Sequence, residues 1–247
     1  MSVLIPAQWI HAQITNTVVV PPPSTFTLDS VTVTTASGPG IQANGNGTID
    51  ASNVIITTTG VDGFGAFATT GGANTGGTIS ITGSTVTTSG SGAAGLALSS
   101  GQKVILIRAR VGSTMIVSNS TVTTSGANGY GISTFGSAGL NFTDSITLDN
   151  TTVTTSQADG IHLDDNANVT ILLKDETIVN PGNGVLMRTT AHGQRVANLT
   201  ADGNVTLSGD ILVESTTAVV NVALLNNSVL TGAMEDVTNV SIGSGSL

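Results

Sequence analysis

The sequence predicts an all-β fold, a right-handed, single-stranded parallel β-helix (β-solenoid) of about nine coils. Three observations predict it. Two apolar residues two apart are followed by a third five later, nine times over. The sets are Phe26/Leu28/Val33, Ile49/Ala51/Ile56, Ile79/Ile81/Val86, Met115/Val117/Val122, Ile146/Leu148/Val153, Ile171/Leu173/Ile178, Val205/Leu207/Leu212, Val222/Leu224/Val229 and Val240/Ile242/Leu247. A turn former stands two residues after the second member of each set: Ser30, Asn53, Gly83, Asn119, Asn150, Asp175, Gly209, Asn226 and Ser244. The block stays constant while the length of chain between blocks varies. Fixed strands joined by elastic loops describe a solenoid, in which each unit has to match only its neighbours. Tandem sandwiches lack such a fixed offset, and the final repeats are too short for propeller blades.

The elements follow in order. Residues 3–12 are apolar and end in Ala12, like the tail of a secretory signal. They read equally as an N-terminal capping strand, with Trp9 covering the open end of the core. Pro21, Pro22 and Pro23 force an extended entry segment, so residues 1–23 form a leader remnant or cap and 24–247 the β-helix. Within one repeat, 78–82 alternates polar and apolar residues, so Ile79 and Ile81 share a buried face. Gly83 breaks that strand because it takes positive φ, and Asn is the next-best residue there. The second strand, 84–88, points Val86 inward. A turn over 89–92 leads to a third strand opened by the Gly95-Leu96 step, which recurs at Gly40-Ile41, Gly131-Ile132, Gly160-Ile161 and Gly184-Val185.

Composition bounds the function classes. Apolar residues make up 39 %, enough for a core although only 9 % of residues are charged. No stretch is long enough to span a bilayer as a helix. A net charge of −9 argues against nucleic acid or anionic lipid as a partner. Cysteine is absent, which removes disulfides and thiolate metal sites and suits a chain that crosses an oxidising periplasm unfolded. No cofactor and no metal site is expected.

The run Thr-Val-Thr-Thr-Ser-Gly at 85–90 and 121–126, its variants at 32–38 and 152–156, and the later stretches 207–211, 230–233 and 237–242 carry a resemblance. Across most of 24–247 the chain resembles pertactin-like passenger domains of Gram-negative autotransporters, at the level of repeat style. The resemblance implies a secreted or surface-displayed β-helical fragment, exported through the periplasm, that acts in adhesion, aggregation or virulence. It implies a host-cell or matrix receptor, or a sister-cell passenger, as partner. Membrane association would come only through a translocator barrel that this sequence does not contain. Passengers share no common active-site residue, so none is carried over, and a non-enzymatic role is expected.

Three patterns are candidates for a site. Thr-Val-Thr at 32–34, 85–87, 121–123 and 152–154 places paired threonines outward, in files that could order water against ice. The plainer account, preferred here, is that Thr suits a solvated strand face. Asp159, His162, Asp164 and Asp165 form an acidic cluster that could serve sugar hydrolysis or lyase chemistry, as in pectin-degrading β-helices, or hold calcium. The scarcity of Lys and Arg beside it favours a plain loop. Five of the six basic residues fall in two long loops: Lys103, Arg108 and Arg110 in one, Arg188 and Arg195, with His192, in the other. Loops on a rigid scaffold are where binding resides, so these six side chains form the expected interaction face. With His11, His162 and His192 the only histidines, no nucleophilic triad is expected.

Overall fold

The computed structural model describes residues 12–70, 75–100, 112–136, 143–164, 168–190 and 195–247. The chain winds through three parallel sheets, A, B and C, visiting them in that order in every rung. Each sheet has nine strands, of which seven have a neighbour on both sides. The stack is thus about seven full turns between two thinner ones, slightly fewer than the nine coils expected. The described residues contain strands and turns and no helix.

Alternation dictates the core. In sheet C, Thr78–Thr82 buries Ile79 and Ile81, and Thr114–Ser118 buries Met115 and Val117. In sheet A, Thr85–Thr88 and Thr121–Thr124 bury Val86 and Val122. Registered pairing aligns these side chains in files such as Ile56, Val86, Val122, Val153 and Val179. Each fully buried Val, Ile or Leu contributes roughly 1.5–3 kcal/mol.

One corner explains the fixed offset. Between sheets C and A the chain turns on a left-handed residue: Ser30, Asn53, Gly83, Asn119 and Asn150, with φ between 46° and 59°. From Asp175 onward that corner uses two left-handed residues, Asp175 with Glu176, Gly203 with Asn204, and Asn226 with Asn227. The extra residue shifts the frame by one. Val179 and not Ile178 is therefore the buried residue in sheet A, and Leu230 replaces Val229 as the partner of Leu207. In the seventh block Val205 and Leu207 belong to the sheet A side, while Leu199 and Ala201 fill the sheet C positions. Phe26, Val240, Ile242 and Leu247 are exposed, so the first block is buried in part and the ninth not at all.

The corner between sheets A and B is set by glycine. Gly65, Gly95 and Gly131 stack rung over rung, and a Cβ on each would come within 2.5 Å of a Cγ of Val86, Val122 or Val153. The fifth Gly-apolar step departs from this. A bulge between Val185 and Met187 puts Met187 opposite Ile161, so Gly184-Val185 is displaced from the file.

Sheet A also carries an inward file of Thr after the Val. Thr35, Thr58, Thr88, Thr124 and Thr155 are buried. Thr58 donates to the Gly63 carbonyl, Thr124 to Gly129 and Thr155 to Ala158, tying the sheet edge to the adjoining turn. Outward, three files run in register: Thr32, Ile55, Thr85, Thr121, Thr152; Thr34, Thr57, Thr87, Thr123, Thr154; and Ala36, Thr59, Ser89, Ser125, Ser156. The third file is held by backbone bonds such as Ser89 N to Thr58 O and Ser125 N to Thr88 O.

Candidate binding face on sheet B

Sheet B begins directly after the glycine file. Its strands Ile132–Gly136, Ile161–Asp164 and Val185–Thr189 point Ile132, Ile161 and Met187 inward. The same pleat points Ser133, His162 and Arg188 outward as register neighbours. The residue before each glycine flanks this file: Phe64, Ala94, Tyr130 and Asp159. Stacking rungs thus assembles groups that lie far apart in sequence.

Asp159 is the hub. It is 3 % exposed, and both carboxylate oxygens are engaged. Oδ2 accepts from His162 Nδ1 at 2.8 Å and from Arg188 Nε at 3.1 Å, and Oδ1 from Asn183 Nδ2 at 2.7 Å. Burial pushes the Asp159 pKa up, but the hydrogen bonds from His162 and Asn183 and the Arg188 charge outweigh it. They hold the carboxyl below the usual aspartate value, so it is ionised at neutral pH. Arg188 also pairs with Glu214 of the next rung, and Thr190 donates to Asp164 at 3.1 Å.

The Tyr130 ring lies flat on the His162 imidazole, with centroids 4.0 Å apart and planes 7° apart. Burial, and the nearby Asp159 and Asp164 charges, raise the Tyr130 pKa, so its hydroxyl keeps its proton. With Nδ1 committed to Asp159 and one ring face covered by Tyr130, His162 is fixed in place and only 8 % exposed. Toward the N-terminal rungs, Phe64, Phe67 and Phe135 form a second aromatic group, with centroids 5.2–5.6 Å apart. Four of the seven aromatic residues therefore occupy one side of the rod.

The residues expected from sequence divide. Arg188 lies on a sheet B strand and not in a loop, with its guanidinium bound between Asp159 and Glu214. Arg195 is 1 % exposed, so its side chain belongs to the interior of its corner and offers no contact surface. Lys103, Arg108, Arg110, His192 and Asp165 lie outside the described residues. Both basic stretches bridge a sheet B strand to a sheet C strand. Asp159 and His162, marked in sequence as an acidic cluster, do meet, but in a network of hydrogen-bond donors. Among the described residues no group of three or more His, Asp or Glu side chains could hold a metal ion. Sequence reading missed Tyr130, Asn183 and Glu214; the aromatic spacing Phe64-Gly65 and Tyr130-Gly131 was the available signal.

The network makes a prediction. An Asp whose folded pKa is depressed stabilises fully above its unfolded value, and this is lost as pH falls through the folded value. Asp159→Asn is expected to lower stability at pH 7 by about 2–3 kcal/mol, by removing the charged acceptor of His162 and leaving Arg188 with Glu214 alone. The gap to the parent should narrow as pH drops below about 4, the ordinary aspartate range. Thermal melts by circular dichroism at pH 7, 4 and 3 check it; an equal gap at all three would remove the carboxylate from the account.

Residues 16–206 match the family described as the right-handed β-helix region. No curated protein and no solved structure matches the chain.

Proposed function

Because the chain belongs to the right-handed β-helix family, we propose that it is an adhesin-type binding protein, displayed at or secreted from a bacterial surface. In this reading the rod is a rigid scaffold, and the sheet B face around Tyr130, His162 and Arg188 contacts a ligand on a host or neighbouring cell. The observation that carries the reading is a hydrogen-bonded polar cluster, fixed by a buried carboxylate, beside the main concentration of aromatic side chains. Aromatic groups with few, fixed polar partners are the composition of recognition sites.

Attachment of the purified, labelled chain to cultured host cells, matrix-coated plates and sister bacteria tests the proposal. Tyr130→Ala and Arg188→Ser, checked for unchanged β-structure, are expected to lose most of the attachment. Absence of attachment by the parent on all three surfaces, or full attachment by both variants, would remove it.

A second reading rests on the Asp159–His162 pair. An imidazole oriented by a buried carboxylate is a general-base arrangement, which supports a carbohydrate-active β-helix. Against it, Asp159 is committed to three donors and held ionised, whereas a glycosidase needs a second carboxyl that donates a proton. Incubation with polygalacturonate and pectins, with calcium, separates the readings: product release that His162→Gln abolishes would favour the enzyme.

A further inference from the structure

We infer that the outer face of sheet A, over residues 32–156, binds the surface of an ice crystal. The argument is independent of the sheet B site and begins with periodicity. Three outward files cross five successive rungs without a register shift, from Thr32 in the second rung to Ser156 in the sixth. Ideal strand geometry spaces the first two files about 4.8 Å along the rod and about 6.7 Å along each strand, and backbone bonds from residues 59, 89, 125 and 156 carry the third file one step past the strand ends. All but Ala36 and Ile55 carry a hydroxyl, and none is charged, in a chain of net charge −9.

Irregular loops count against such a surface in sequence, since a grid needs constant geometry. The structure resolves that objection by location. The described strands that flank the most variable connections, Leu96–Ser100 with Thr114–Ser118 and Val185–Thr189 with Val196–Asp202, belong to sheets B and C, so those lengths do not interrupt sheet A. The border of sheet A facing sheet C is a single left-handed residue at Asn53, Gly83, Asn119 and Asn150. The opposite border is pinned by the buried Thr58, Thr124 and Thr155 hydroxyls.

Side-chain chemistry completes the fit. Threonine has few χ1 choices, so its methyl and hydroxyl are held in place before any ligand arrives. Alternating methyls and hydroxyls let water order over the face while still anchoring to it, and a mobile charged chain would break that order. A globular partner is not periodic in two directions at this spacing. A crystal plane is.

The test uses the full chain. Thermal hysteresis, inhibition of ice recrystallisation and partition of labelled protein into a growing ice front are measured for the parent, Thr123→Lys and Thr200→Lys. Thr123 sits mid-grid, whereas Thr200 faces outward from sheet C. Expected are activity in the parent, loss of most of it in Thr123→Lys with an unchanged melting curve, and retention in Thr200→Lys. No activity in the parent at high concentration overturns the inference, as does equal activity in both variants. Self-association that Thr123→Lys abolishes, without any effect on ice, would assign the face to a second copy and overturn it too.

Discussion

A Val122→Asp variant is expected to lose its ordered central rungs. Val122 is fully buried, paired in register with Val86 before it and Val153 after it, and in contact range of the Gly95 backbone. The surroundings on that file are hydrocarbon. A carboxylate placed there has no donor, and burial of an unpaired charge with loss of the valine's packing costs on the order of 4 kcal/mol or more. Rungs are stabilised mainly by their neighbours, so the damage spreads to the adjacent turns. Thermal melting followed by circular dichroism, with limited proteolysis to locate the opened segment, reads the effect. A melting temperature within a degree or two of the parent's would mean that the sheet A file does not form the core.

Gly90→Ala is expected to rank close behind, although it adds one methyl group. A Cβ at Gly90 would lie 1.7 Å from the Gly60 carbonyl oxygen, and one at Gly126 would lie 1.9 Å from that of Gly90. These are backbone atoms in a turn whose neighbours are already tied, Ser89 N to Thr58 O and Gly92 N to Ala127 O. No rotamer change relieves the collision; the rungs must part locally, at roughly 1–3 kcal/mol or more. Gly184→Ala supplies the contrast. Nothing lies within 4 Å of a Cβ there, and only the φ of +80° opposes it, at roughly 1–2 kcal/mol. Chemical denaturation of both variants compares the two effects; equal stabilities would show that close stacking of the turns does not constrain position 90.

Much of this architecture was legible because a parallel β-helix writes its packing into local alternation. Spacing alone turns Ile79, Ile81 and Val86 inward, and Asn53, Asn119 and Asn150 mark left-handed corners. The frame failed where the corner doubled. Asp175 marks a left-handed corner as the asparagines do, but nothing local announces that Glu176 takes the same conformation, because glutamate does not favour it. The seventh block misleads differently: Val205 and Leu207 repeat the sheet C spacing while lying one corner later, on the sheet A side. The candidate site was half legible. Asp159 and His162 are three apart on one strand entry, whereas Asn183 and Arg188 reach Asp159 from 24 and 29 residues away. That separation depends on how long each coil is, which spacing inside one coil cannot supply. Arg188 lies on the strand Val185–Thr189, next to a bulge that lengthens this strand relative to its Gly-apolar step and that no local spacing signals.

The direction of the inter-rung hydrogen bonds has a mechanical consequence. They run along the rod, so tension between its ends loads the rungs in series, one set of three short ladders at a time. A pull of that kind spools coils off singly, at modest force and over a long extension. Drag across the rod has to shear many ladders together, and meets a stiff beam.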